Sequence, residues 1–253
     1  MDEGRRPPEK MEGAAPNQAI VAFIDILGYG DLVNRLINDF EAIKSIQKLL
    51  KGVSVDHIET IRKKLSLPDP YDEYSKQLLN LINVRYISDT ILVTLPFSDK
   101  EISSPHFNPS EILSHCVFSY LYFIAMACIQ FIGLTGLVVR GGISMGPHYE
   151  NQHNGNLFIF SKAFINAYKL EGKACSPRIL IDDQVLDFVK GLPLEELHKF
   201  IFVDSSGNSC LDTYTIFENE PRSPVILSGI KEGVSRNMFK NRQNKLALAL
   251  IRR

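Results

Sequence analysis

AIVAFIDIL, residues 19–27, sets the reading of this chain. The run is short, rich in β-branched residues and nearly all apolar, which predicts a strand buried on both faces. Asp25 is its one charge. A lone carboxylate inside an apolar strand is costly unless it is paired or bound to a metal. The first expectation is therefore a central strand that carries an acid for a purpose.

Gly28 and Gly30 open a helix over DLVNRLINDFEAIKSIQKLL, where apolar residues recur at helical spacing. Residues 52–80 are amphipathic and charged with Pro68 and Pro70 inside them, and read as an insertion with some helix. LINVRYI (81–87) and TILVTLP (90–96) read as two strands joined by the tight polar turn Ser88-Asp89. CVFSYLYFIAMACIQFIGLTGLVV, residues 116–139, is long enough to span a bilayer. Asn108-Pro109-Ser110-Glu111 is a helix start, Gly133 and Gly136 interrupt the run, and Ser119 and Gln130 would be awkward in lipid. The run divides into a buried helix and a buried strand, LVVRGGIS (137–144), with no membrane span. Residues 147–156 are turn-rich. A helix over 161–174, a strand PRILID (177–182), a short helix DDQVLDFVKGL and the strands HKFIFVD and CLDTYTIF follow.

The 253 residues with 45% apolar content suit one domain, placed at 19–228. Residues 1–18, polar and rich in Pro and Gly, read as a disordered leader, and 229–253 as a basic helical tail. A net charge of -1 does not mark a nucleic-acid binder. Cys116, Cys128, Cys175 and Cys210 form no CxxC pair, which speaks against a disulfide framework or zinc and for a reducing cytoplasm. His148 and His153 lack a Cys or Asp partner at ligand spacing and read as loop residues.

The order strand, helix, strand-turn-strand, helix, strand is the ferredoxin-like plan, an α/β (α+β) fold with a mostly antiparallel sheet. In that plan the first strand lies beside the hairpin, so Asp25 and Asp89 converge. A turn Asp is ordinary alone. With Asp25 it makes a two-carboxylate site for two magnesium or manganese ions, able to neutralise a triphosphate and acidify an attacking hydroxyl.

Four segments, AFIDILGYG, RYISDTILV, LVVRGGISMG and SKAFINAYKLEGKACSPRILID, together resemble the class III nucleotidyl cyclase family in its order, from about Val21 to Tyr214. The resemblance implies that Asp25 and Asp89 hold the metals, with a contact from the Ile26 carbonyl. It also implies a homodimer in which one subunit supplies metals and the other supplies base and transition-state groups. Purine cyclases of this family carry a Lys four residues before the second metal Asp; Arg85 stands there. Their second base-reading group falls near Leu157-Phe158-Ile159-Phe160, which holds no carboxylate. An Arg fork in an aromatic pocket suits the O2 of uracil or cytosine, although Arg85 fits a solvated or salt-bridged strand residue equally. SDTILV, RGGIS, AYKLE and PRILID also resemble the bacterial pyrimidine cyclases of Pycsar antiphage defence. That resemblance implies conversion of UTP to 3′,5′-cyclic UMP and diphosphate, with CTP as the alternative, and a product that signals to a separate effector.

Departures from the family keep two rivals in view, a purine cyclase and a cyclase-fold binding domain without turnover. Lys169 stands where the family has its transition-state Arg. Asn166 is one residue out of register, with Ile165 in the Asn position. VDSSGNSCLD replaces the family's Lys-Gly loop. Arg140 and Arg178 read as structural or interface residues. Gly28-Tyr29-Gly30 lacks the GK[ST] ending of a P-loop but can set helix amides near phosphates.

Overall fold

The computed structural model describes residues 17–41, 43, 44, 46, 47, 81–97, 108–135, 137–153 and 156–213. Its strands are β1 (Asn17–Ile26), β2 (Asn83–Ile87), β3 (Thr90–Phe97), β4 (Val139–His153), β5 (Asn156–Ser161), β6 (Ile179–Ile181), β7 (Ile201–Val203) and β8 (Ser209–Leu211). Its helices are α1 (Tyr29–Leu36), α2 (Pro109–Thr135), α3 (Lys162–Lys173) and α4 (Asp183–Lys190). One sheet runs β2-β3-β1-β4-β6-β8-β7, with β5 paired to β4. Only β4–β6 is parallel. The order β4-β1-β3-β2 within it is the ferredoxin-like arrangement expected, and the sheet is mostly antiparallel.

β1 is apolar throughout because both its faces are covered. Ile20, Ala22, Ile24 and Ile26 enter the main core with α2, whereas Ala19 and Val21 meet Leu92 and Ala163 on the other side. α2 is apolar around its whole circumference and sits in the core, with Tyr120, Phe123 and Ile124 fully buried. By length and composition it could cross a membrane, yet it is the central helix of this domain. Fully burying a side chain such as Phe123 contributes about 1.5–3 kcal/mol. The Tyr120 hydroxyl donates to the Val93 carbonyl at 3.0 Å, so its polar tip is satisfied inside the core.

α3 packs on the second face, across β1 and β4. Gly142 makes this possible, since a Cβ there would meet the Ala167 carbonyl and lie 2.5 Å from Leu170 Cβ. Gly142 thus lets a helix backbone lie directly on a strand. Ser161 caps α3 by accepting from the Phe164 amide at 3.0 Å, and Asp182 caps α4 by accepting from Val185 at 2.9 Å.

Several sequence expectations are corrected. β1 begins at Asn17, inside the stretch read as leader. The first helix ends at Leu36, where Ile37 and Asn38 form a turn, and the Asp39 carbonyl accepts from the Ile43 amide to restart helix. α2 runs through Gly133. The segment read as turn-rich at 147–156 is instead the far half of β4 and a hairpin into β5. Its polar residues hid the strand, and β-forming partners at Phe158, Ile159 and Phe160 supply the pairing context. His148 and His153 are therefore strand residues. HKFIFVD is strand only from Ile201; before it Glu195–Phe200 form a 3₁₀ turn, with Leu197 and Phe200 buried at its three-residue spacing. The 52–80 insertion, the basic tail, most of the leader and the end of CLDTYTIF lie outside the described residues.

Candidate active site

In antiparallel pairs, residues directly opposite each other point to the same face. Ile87, Thr90, Asp25 and Arg140 therefore form one row across β2, β3, β1 and β4. Arg85, Leu92, Phe23 and Gly142 form the next row on that face. The hairpin turn is fastened to the end of β1, because the Ile26 amide donates to the Asp89 carbonyl at 2.8 Å. The structure thus brings Asp25, Ile26 and Asp89 to one end of the sheet, as the ferredoxin-like plan requires.

Two further charges lie there. Arg140 Nη2 is 3.5 Å from Asp25 Oδ2, and its Nε is 2.5 Å from Glu171 Oε1. Glu171 is buried under α3, on the helix face shared with Ala163 and Ala167. Burial pushes the Asp25 carboxyl above its ordinary value, followed by the negative charges of Glu171 and Asp89; Arg140 and the Ile26 amide pull the other way but do not prevail. Two carboxylates thus share one guanidinium, and Asp89 adds negative charge near Asp25.

Sequence reasoning missed Glu171 and set Arg140 aside as structural. One signal was available. Ala163, Ala167 and Glu171 recur every four residues, so they share the face that must press on the sheet. A carboxylate on such a face needs a cation.

Does this end of the sheet suit a metal? Among the described residues, no group of three or more His, Cys, Asp or Glu side chains is arranged to hold one. The surplus of negative charge around Asp25 nevertheless favours an added cation. Magnesium is commonly held by one or two carboxylates with substrate phosphates completing its shell, and the Asp25–Asp89 pair fits that donor set.

Arg85 lies in the neighbouring row, and it is ion-paired. Its Nη2 and Nε are 2.9 and 3.1 Å from Glu150 Oε1. The salt-bridge alternative for Arg85 is thus realised, with a partner from the segment read as a loop. Phe158 lies in β5 but on the opposite side from Ile159, which pairs with Glu150; it is 58% exposed and meets Tyr149 edge to face. It does not line a pocket with Arg85 in the same chain. Lys169 is exposed and Asn166 half-buried, on faces of α3 other than the Ala163–Ala167–Glu171 face, so neither joins the aspartates within one chain. The VDSSGNSCLD segment is a β7–β8 hairpin. Asp204 closes it by accepting from the Ser206 and Asn208 amides, and Arg178 Nη1 pins it at 2.5 Å.

No family model and no curated protein matches the chain. Solved structures do. The adenylyl cyclase CyaB from P. aeruginosa is 15% identical over 78% of this chain and 94% of its own, with a TM-score of 0.43. The catalytic core of a rhodopsin-guanylyl cyclase with converted specificity, in complex with ATPalphaS, is 17% identical over 79% and 97%, at 0.44. An adenylate cyclase from Trypanosoma brucei, in its monomeric state, is 13% identical over 78% and 88%, at 0.40. At such values the reading of the site rests on this chain's own residues.

Proposed function

We propose that this chain is a nucleotide cyclase that closes a nucleoside triphosphate to its 3′,5′-cyclic monophosphate and diphosphate. One observation carries the reading: the hairpin turn that bears Asp89 is fastened to the end of β1 that bears Asp25, within a local excess of carboxylate. Asp25 and Asp89 hold magnesium or manganese, with the Ile26 carbonyl beside them. When bound, such ions neutralise the triphosphate and lower the pKa of the 3′-hydroxyl. Arg140 offsets part of the carboxylate charge, and Glu171 fixes its guanidinium from the helix side. The first turn of α1 begins at Tyr29, close behind Ile26, and its unpaired amides favour phosphate.

The enzyme works as a homodimer in this reading. Phe158, Phe160, Ile165 and Tyr168 are large apolar residues at least half exposed on β5 and α3. Covering them with a second copy would carry Lys169 and Asn166 toward the partner's aspartates, where Lys169 meets charge developing on the phosphate. Arg85 reads the base, and an Arg in place of a Lys favours the O2 of a pyrimidine, UTP before CTP. The cyclic product then serves as a second messenger in antiphage defence, in the cytoplasm. The placement of Lys169 and Asn166 away from the aspartates of their own chain supports one other reading, a nucleotide-binding domain without turnover.

Incubation of the purified protein with manganese and each of ATP, GTP, UTP and CTP, with separation of products, tests this. Cyclic UMP should dominate, cyclic CMP should come second, and purine products should be scarce. A purine preference would overturn the base assignment alone. No cyclic product from any triphosphate would leave the binding domain.

A further inference from the structure

The sequence offered Arg85 as a base reader with no carboxylate beside it. The fold supplies one. Glu150 lies in the far half of β4, and its side chain is 13% exposed. Its Oε1 accepts from both Arg85 Nε and Nη2. Its Oε2 is buried, and His148 Nε2 lies 3.5 Å from it. His148 itself is buried, two residues back on the same strand. The carboxylate is thus walled in by one cation it holds and one imidazole behind it.

This arrangement does two things. A free Arg side chain loses substantial rotamer entropy when a ligand fixes it, and Glu150 fixes it beforehand. The Glu150 contact also occupies the Nε–Nη2 edge of the fork, leaving Nη1 and its neighbouring N–H to point away from Glu150. Arg85 is 35% exposed, so those donors remain reachable. The row containing Arg85 lies next to the row containing Asp25, on the same face. Glu150 Oε2 is closed off, so Glu150 meets no base directly.

We infer that Glu150 is a positioning residue for base choice: by clamping Arg85 it aims a fixed pair of N–H donors at a ring carbonyl of a pyrimidine nucleotide. The inference rests on the cyclase reading for its substrate class. An ion pair kept only for stability predicts something different, since its loss would act on folding and would not sort the bases.

The test measures binding and does not need turnover. Manganese complexes of UTP, CTP, ATP and GTP analogues, with methylene in place of the α–β bridging oxygen, are titrated calorimetrically into the full chain. Wild type is compared with Glu150→Gln, Glu150→Ala, Arg85→Ala and the Arg85→Ala/Glu150→Ala double variant, with thermal melts as a folding check. Glu150→Gln should weaken the preferred pyrimidine about tenfold and compress the ranking of the four bases, as losing one charge-assisted contact does. In the Arg85→Ala background, Glu150→Ala should add nothing. A wild-type ranking in both Glu150 variants would overturn the inference, as would equal weakening of all four nucleotides. Wild type that binds and ranks the analogues but forms no cyclic product from the unmodified triphosphates defeats the cyclase reading and leaves Glu150 its role. Wild type that binds none of the four defeats both.

Discussion

Arg140 and Arg85 stand in neighbouring rows of one sheet face, each paired with a carboxylate, and the two clusters are electrostatic opposites. Around Asp25, burial first and then the negative charges of Glu171 and Asp89 push the carboxyl up, and Arg140 does not offset them. Around Glu150, Arg85 and His148 surround a single carboxylate, which is held below its ordinary value, with the His148 contact the largest cause. The second cluster balances the Glu150 charge with its own residues. The first is short of positive charge and improves when a cation arrives. A pair that completes itself suits a fixed donor. A pair left short suits an ion brought with the substrate.

The largest effects should follow from removing the charge excess. Asp25→Asn and Asp89→Asn should each lower cyclase turnover by at least about 100-fold, the upper end of what losing a mere outer-shell partner costs. The Asp25 change should act oppositely on the metal-free fold. A carboxyl raised above its value of 3.8 opposes folding once it ionises, so Asp25→Asn should melt higher than wild type without metal. Added manganese should raise the melting temperature of wild type and leave that of Asp25→Asn unchanged. A metal shift that survives the substitution would remove Asp25 from the site and erase the contrast between the two clusters.

A smaller effect sharpens the other side. Glu150 is lowered from 4.5, so its ionised form stabilises the fold. That contribution is present above 4.5 and is lost as pH falls below it through the depressed folded value. Glu150→Gln should therefore be less stable than wild type by urea unfolding near about pH 7, and the gap should close on acidification. A gap independent of pH would mean that the Arg85–Glu150 pair contributes shape and no charge.

Much of this was legible because local pattern and global fold agree. FIDIL gave a central strand with one unexplained acid, Ser88-Asp89 gave a two-residue turn, and their order gave the sheet. What stayed hidden depends on register. Nothing in LVVRGGIS says that Arg140 sits opposite Asp25; that follows only from the pairing of β1 with β4. Glu150 was invisible because PHYENQH has the composition of a loop, and only β5 makes it strand. Phe158 was placed by family position, yet alternation along β5 turns it outward. The roles of Lys169 and Asn166 depend on a second chain, which one sequence does not place.

The smallest predicted effect concerns the turn that carries Asp89. Ser88 has φ 56, the left-handed region, and is the only described non-glycine residue with a positive φ. A side chain there costs roughly 1–2 kcal/mol relative to glycine, while glycine costs about 0.5–1 kcal/mol more in chain entropy on folding. Ser88→Gly should therefore stabilise the protein by about 0.5 kcal/mol on balance. The Asp89 carbonyl stays anchored to the Ile26 amide whichever residue precedes it, so the manganese-induced melting shift should not change. Serine at 88 thus trades a little stability for a turn with fewer conformations to explore when unbound. Urea unfolding of Ser88→Gly beside wild type, with and without manganese, reads both quantities. A destabilised variant would contradict the left-handed turn. A stabilised variant with a weakened metal response would mean that the serine stiffens the hairpin so that Asp89 keeps its place beside Asp25.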